Sequence, residues 1–80
     1  MIDGTPDRQR LKQAIRTVLC ASRRQMEVSQ MELAQRMGVT RNTIANLESG
    51  RRSVHLTDFL MIAKALTIDP LALLHRILRW

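Results

Sequence analysis

Only three residues, Gly38-Val39-Thr40, separate two short amphipathic segments, and this gap limits the fold more than any other feature of the chain. The first segment opens with Ser29-Gln30-Met31-Glu32, an S-x-x-E capping-box pattern. The hydroxyl of Ser29 can accept from the amide of residue 32, and the Glu32 carboxylate can reach back to the amide of residue 29. Leu33, Ala34 and Met37 make one apolar face, and Gly38 supplies the positive φ that a tight exit needs. The pattern predicts a helix over about 30–37. Thr40 then caps a second helix starting at Arg41, with Ile44 and Leu47 on one face and Gly50 at its end. Two helices joined this tightly cross at a steep angle and need a small residue at the contact, which Ala34 provides.

The flanking sequence is also helical. Leu11, Ile15, Val18, Leu19 and Ser22 recur at the spacing of one helix face, while Arg8, Arg10, Lys12, Arg16, Arg23 and Arg24 mostly take the others. This predicts a helix over about 7–25. Thr57 reads as the cap of a fourth helix, with Asp58 in its first turn and Leu56 and Met61 at the positions of a hydrophobic staple. Phe59, Leu60, Ile62, Ala63 and Leu66 make that helix strongly apolar. Asp69-Pro70 is an N-cap followed by proline at the first helical position, predicting a fifth helix over about 70–79. No alternating strand pattern occurs. The expected fold is all-α: residues 1–6 form a flexible N-terminus and residues 7–80 a single domain, a compact bundle of five short helices.

Composition narrows the function. Eighty residues leave room for one small core, which makes a wide active-site cavity unexpected. Cys20 is the sole cysteine, so there is no internal disulfide framework. With His55 and His75 it matches no zinc-ligand spacing, and neither a metal nor a cofactor is expected. No uninterrupted apolar run, Pro70 to Leu74 included, exceeds five residues, and MIDGTPDRQR lacks the apolar stretch of a signal peptide. No membrane association is expected, and a cytoplasmic location is. No Ser/His/Asp or Cys/His constellation, carboxylate pair or phosphate loop points to an enzyme. The chain carries +6, from eleven Arg and two Lys against seven acids. Arginine's planar fork suits phosphates and base edges, so nucleic acid is the expected partner.

The run SQMELAQRMGVTRNTIANLESGRR, followed by LTDFLMIAKAL, resembles the phage repressor and Cro type of helix-turn-helix domain, a family that includes many xenobiotic-response-element regulators. The resemblance spans about Leu11 to Leu74. It implies a lambda-repressor-like fold, double-stranded DNA as partner and a bacterial or phage origin. Two departures stand out: Val54 replaces a proline common in the family, and His75 to Trp80 extend the chain beyond the usual end of the last helix.

A recognition helix presents its N-terminal outer face to the major groove, and here that face carries Arg41, Asn42, Ala45 and Asn46. Arginine pairs with guanine, asparagine with adenine, and the alanine methyl can meet that of thymine. The resemblance places Arg41, Asn42 and Asn46 at base-touching positions and sets Gln30 against a DNA phosphate. Ser29, Thr40, Thr43, Ser49, Arg51 and Arg52 are candidates for further phosphate contacts. The resemblance also pairs Glu48 with Arg23 late in the first helix, an arrangement that would aim Arg23 at the backbone.

The expected function is that of a sequence-specific transcriptional regulator, a repressor or controller protein acting on a palindromic operator. The alternative is an antitoxin-type or other protein-interaction module that keeps the fold. Without a sensor domain, control would rest on the protein's own concentration or on a separate protein regulator. The fifth helix carries two apolar stripes, Leu71/Leu74/Leu78 and Leu73/Ile77/Trp80, and one core can bury only one of them. A homodimer held by this helix is therefore expected, with Leu71, Leu74 and Leu78 as its main contacts and Trp80 beside them.

Overall fold

Five helices follow one another in the order α1 (Pro6–Gln25), α2 (Gln30–Met37), α3 (Arg41–Ser49), α4 (Leu56–Leu66) and α5 (Pro70–Arg79). They are seen in a computed structural model that describes residues 6–80. The expected flexible N-terminus lies outside the described residues except for Pro6, which already opens α1. Proline suits that place because the amide it lacks would have no partner in the helix.

Local chemistry sets the central turn. The Ser29 hydroxyl accepts from the Glu32 amide at 3.0 Å, and the Thr40 hydroxyl from the Thr43 amide at 3.2 Å. Gly38 and Gly50 adopt φ of +71° and +86°, closing α2 and α3 in the left-handed region. The capping box of α2 is only half built: the Glu32 carboxylate takes the Arg36 guanidinium at 2.7 Å, one turn further on, and not the Ser29 amide. Arg36 also donates to the Ala65 carbonyl at 2.9 Å, tying α2 to α4.

One core joins all five helices. Val18 and Leu19 of α1, Leu33, Ala34 and Met37 of α2, and Ile44 and Leu47 of α3 are buried. Phe59, Ile62, Ala63 and Leu66 of α4 meet them, as do Leu73 and Ile77 of α5. α2 packs against α3 and α4, α1 against α3 and α5, and α4 against α5. Across the α1–α5 contact, Arg76 donates to the buried Ser22 hydroxyl at 3.0 Å.

The sequence expectations need correction at four places. Leu11, expected on the inner face, is 48 % exposed. Residues 7–13 are all exposed and the buried face starts at Ala14, because the first turns of α1 run past the helices packed on it. Arg23, expected on an outer face, is buried. α4 has His55 at its N-cap in place of Thr57. The Asp58 carboxylate accepts from the His55 amide at 3.0 Å, and this bond sets the start of the helix two residues early. In this register Leu56, Leu60 and Met61 are exposed. The staple positions pass to Val54, packed against the core, and Phe59, within it. Thr67 then closes α4 at φ +57°, a left-handed position without glycine that no sequence signal announced.

Ala34 is 1 % exposed at the α2–α3 crossing. Ala34→Leu should cost about 1–3 kcal/mol through overpacking. In a domain of this size, each kcal/mol lowers the melting temperature by roughly 4–8 °C. Thermal unfolding followed by circular dichroism measures this, and an unchanged midpoint would show that the crossing has room to spare.

Candidate nucleic-acid interface

The turn between α2 and α3 fixes the direction of α3, and a buried ion pair fixes its far end. The Arg23 guanidinium meets the Glu48 carboxylate side by side: Nε donates to Oε2 at 2.6 Å and Nη2 to Oε1 at 3.0 Å. Its Nη1 donates to the Val28 carbonyl at 2.7 Å, anchoring the loop between α1 and α2. Gln30 Nε2 adds a bond to Glu48 Oε1 at 2.9 Å. One glutamate thus gathers α1 and the start of α2 onto the last turn of α3.

The electrostatics follow from this geometry. Burial works to raise the pKa of Glu48, but the hydrogen bonds from Arg23 and Gln30 and the Arg23 charge outweigh it, leaving the carboxyl below its usual range. The hydrogen bond to Glu48 holds Arg23 firmly protonated. The Cys20 thiol lies 3.5 Å from Glu48. Burial and the glutamate's charge both push its pKa up, keeping it a neutral thiol.

On the other side of α3, Arg41 and Asn42 are exposed in the first turn, and Ala45 and Asn46 are half-buried one turn later. Ser29 stands exposed at the α2 N-terminus, with Gln30 half-buried beside it. The free amides of a helix N-terminus attract anions. Thr40 and Thr43 face each other, their hydroxyls 3.1 Å apart. Ser49 donates to the Asn46 carbonyl at 3.3 Å. Arg51 and Arg52 are exposed in the loop beyond Gly50, and Arg52 is 3.7 Å from Asp58.

One expected phosphate contact is occupied otherwise and a second only in part. Arg23 is 6 % exposed, and its donors go to Glu48, Val28 and Cys20, so it holds α3 in place and does not reach outward. Gln30 gives one of its two side-chain N–H donors to Glu48, leaving the other and its backbone amide for a phosphate. The Val28 carbonyl is a partner that sequence reasoning missed, because a backbone acceptor leaves no mark in the residue types. Among the described residues there is no cluster of three potential metal ligands, and no helix is long and apolar enough to cross a membrane.

Comparison with known proteins places the fold and the family. The sequence model of the Helix-turn-helix family matches residues 21–73. An uncharacterised HTH-type transcriptional regulator of Methanothermobacter thermautotrophicus is 46 % identical over 52 residues, covering 65 % of this chain and 75 % of the relative. An XRE-family like protein from Pseudomonas syringae pv. tomato superposes with a TM-score of 0.81 at 26 % identity, covering 91 % of this chain and 88 % of that one. The clp gene regulator ClgR from C. glutamicum superposes at 0.78 and 25 % identity, covering 85 % and 88 %. The Methanothermobacter relative is archaeal, so the family's range extends past the bacterial and phage origin that the resemblance implied.

The ion pair gives a pH-dependent stability. An unfolded glutamate titrates at about 4.3, and the folded Glu48 titrates lower. The pair's contribution is therefore complete above the unfolded value and is lost as pH falls through the folded one. Glu48→Gln should cost about 3 kcal/mol at pH 7, because it leaves Arg23 buried and uncompensated. Its stability should also fall less steeply than wild type on acidification. Denaturant unfolding at a series of pH values checks both, and acid limbs that run parallel would remove Glu48 from this role.

Proposed function

Because this chain belongs to the helix-turn-helix family of DNA-binding transcriptional regulators, we propose that it recognises a specific double-stranded operator and represses the promoter that contains it. The observation that carries this reading is the exposed first turn of α3. Arg41 and Asn42 stand free there, on a helix clamped at its far end by Glu48 and flanked by the α2 N-terminus and the Arg51-Arg52 loop. Arg41, Asn42, Ala45 and Asn46 read base edges. Ser29, Gln30, Thr40, Thr43, Ser49, Arg51 and Arg52 set the protein's register on the phosphates.

The protein acts as a homodimer on a palindrome. α5 supports this reading, since Leu73 and Ile77 are taken by the core while Leu71 and Leu78 are 64 % and 74 % exposed. Leu74 is exposed on the same stripe. Trp80 caps the end of α5, with the Arg10 guanidinium 6.0 Å from its ring centre, and is half covered by its own domain. Two copies joined along this stripe present two α3 helices to successive major grooves, about 34 Å apart.

Selection of bound duplexes from a random pool, with the full chain, tests the reading: a palindromic consensus supports it, and recovery of unrelated sequences sinks it. With the selected operator, Arg41→Ala or Asn42→Ala should cost about 1–3 kcal/mol and relax preference at particular base pairs. Arg52→Ala should instead weaken every sequence alike. Equal, uniform losses from Arg41→Ala and Arg52→Ala would remove α3 as the reader. Sedimentation at tens of micromolar should give a dimer for wild type and a folded monomer for Leu78→Glu; a monomeric wild type would exclude the α5 interface.

A further inference from the structure

The face of α1 beside the end of α3 has no part in the reading above, yet it closes a cleft of about 150 Å3 with the turn that follows Gly50. The floor is apolar, made by Ile15, Leu47 and Val54, and the rim carries Lys12, Arg16 and Arg52. Lys12 and Arg16 are four residues apart and so share one face of α1. Arg16 lies across Gly50 so closely that an added Cβ there would meet its Nε at 3.2 Å. The glycine thus serves the left-handed turn and makes room for the arginine, whose cation rests against the C-terminus of α3, the favourable end of the helix dipole. Among the described residues neither Lys12 nor Arg16 forms an ion pair, whereas Glu48 is matched by Arg23 and Asp58 adjoins Arg52.

We propose that this cleft seats one backbone phosphate of the operator, with Arg16 and Lys12 of α1 closing on it from the side opposite Arg52. The inference rests on the DNA-binding reading and adds α1 to the contact surface. Cations from two elements converge on one opening, which suits an oxyanion. The apolar floor fits the sugar edge beside a phosphate, and the rim continues from the Arg51-Arg52 loop. A free phosphate-type anion has the same charge chemistry and is the other possible occupant, so the experiment separates the two.

The test uses the full chain and its selected operator, prepared as a series of duplexes each carrying one neutral methylphosphonate. One position should weaken wild type and leave Arg16→Gln unaffected, since the variant has already lost that contact. Arg16→Gln should also reduce the slope of log affinity against log salt by about 0.9, the value for one phosphate, with base preferences unchanged. Lys12 is exposed, so Lys12→Gln folds irrespective of Arg16 and should shift the slope in the same direction. If every methylphosphonate weakens wild type and Arg16→Gln equally, or the salt slope does not move while Arg41→Ala still alters base preference, the cleft proposal falls and the DNA reading stands. If wild type binds no duplex, both fall. The free anion is tested by titrating inorganic phosphate and following the Gly50 and Ser53 amide resonances. Shifts that persist unchanged in the operator complex would assign the cleft to a free anion and overturn the proposal; their suppression by operator supports it.

Discussion

The paired bonds between Arg23 and Glu48 hold together a structure whose two central helices are too short to be stable alone. α2 and α3 have eight and nine residues, well below the length at which an isolated helix persists in water. Apolar contacts gather them, but such contacts are non-directional. The ion pair supplies direction. It is planar, two-pronged and buried, and it engages the Val28 carbonyl and the Gln30 amide as well. Four parts of the chain meet there: the end of α1, the loop after it, the first residue of α2 and the last turn of α3.

Much of this was legible in the residues because the relevant signals are local. Ser29, Gly38, Thr40, Asp69 and Pro70 mark helix ends through chemistry that acts within a few positions, and those ends lie where the signals put them. The start of α4 was not legible in the same way. Thr57 and Asp58 both offer a side chain to the helix start, and only the folded loop decides that Asp58 wins by bonding to the His55 amide. Leu11 misled for a different reason. Periodicity shows that a face is apolar, but not how far the neighbouring helices extend along it.

The candidate site divides along the same line. The outward face of α3 follows from helical spacing alone, so the sequence itself places Arg41 and Asn42 on it. The fate of Arg23 could not, because its acceptors include a backbone carbonyl and its burial depends on three separate elements. The cleft beside Gly50 was likewise out of reach. Lys12 and Arg16 look like ordinary solvated cations in the sequence, and only packing brings them opposite a loop some forty residues away.

The two stripes of α5 interleave along one short helix, with Leu73 and Ile77 turned inward and Leu71, Leu74 and Leu78 outward. Selection can therefore act on each almost separately. The inward residues answer to the fold, which tolerates little change in volume. The outward residues answer only to what the helix meets, and their shape or charge can drift without disturbing α3. On the proposed pairing through α5, a cell that duplicates such a regulator could thereby keep the copies from mixing: a few exchanges on one face of the last helix would make each pair only with itself, while the surface around α3 is inherited intact.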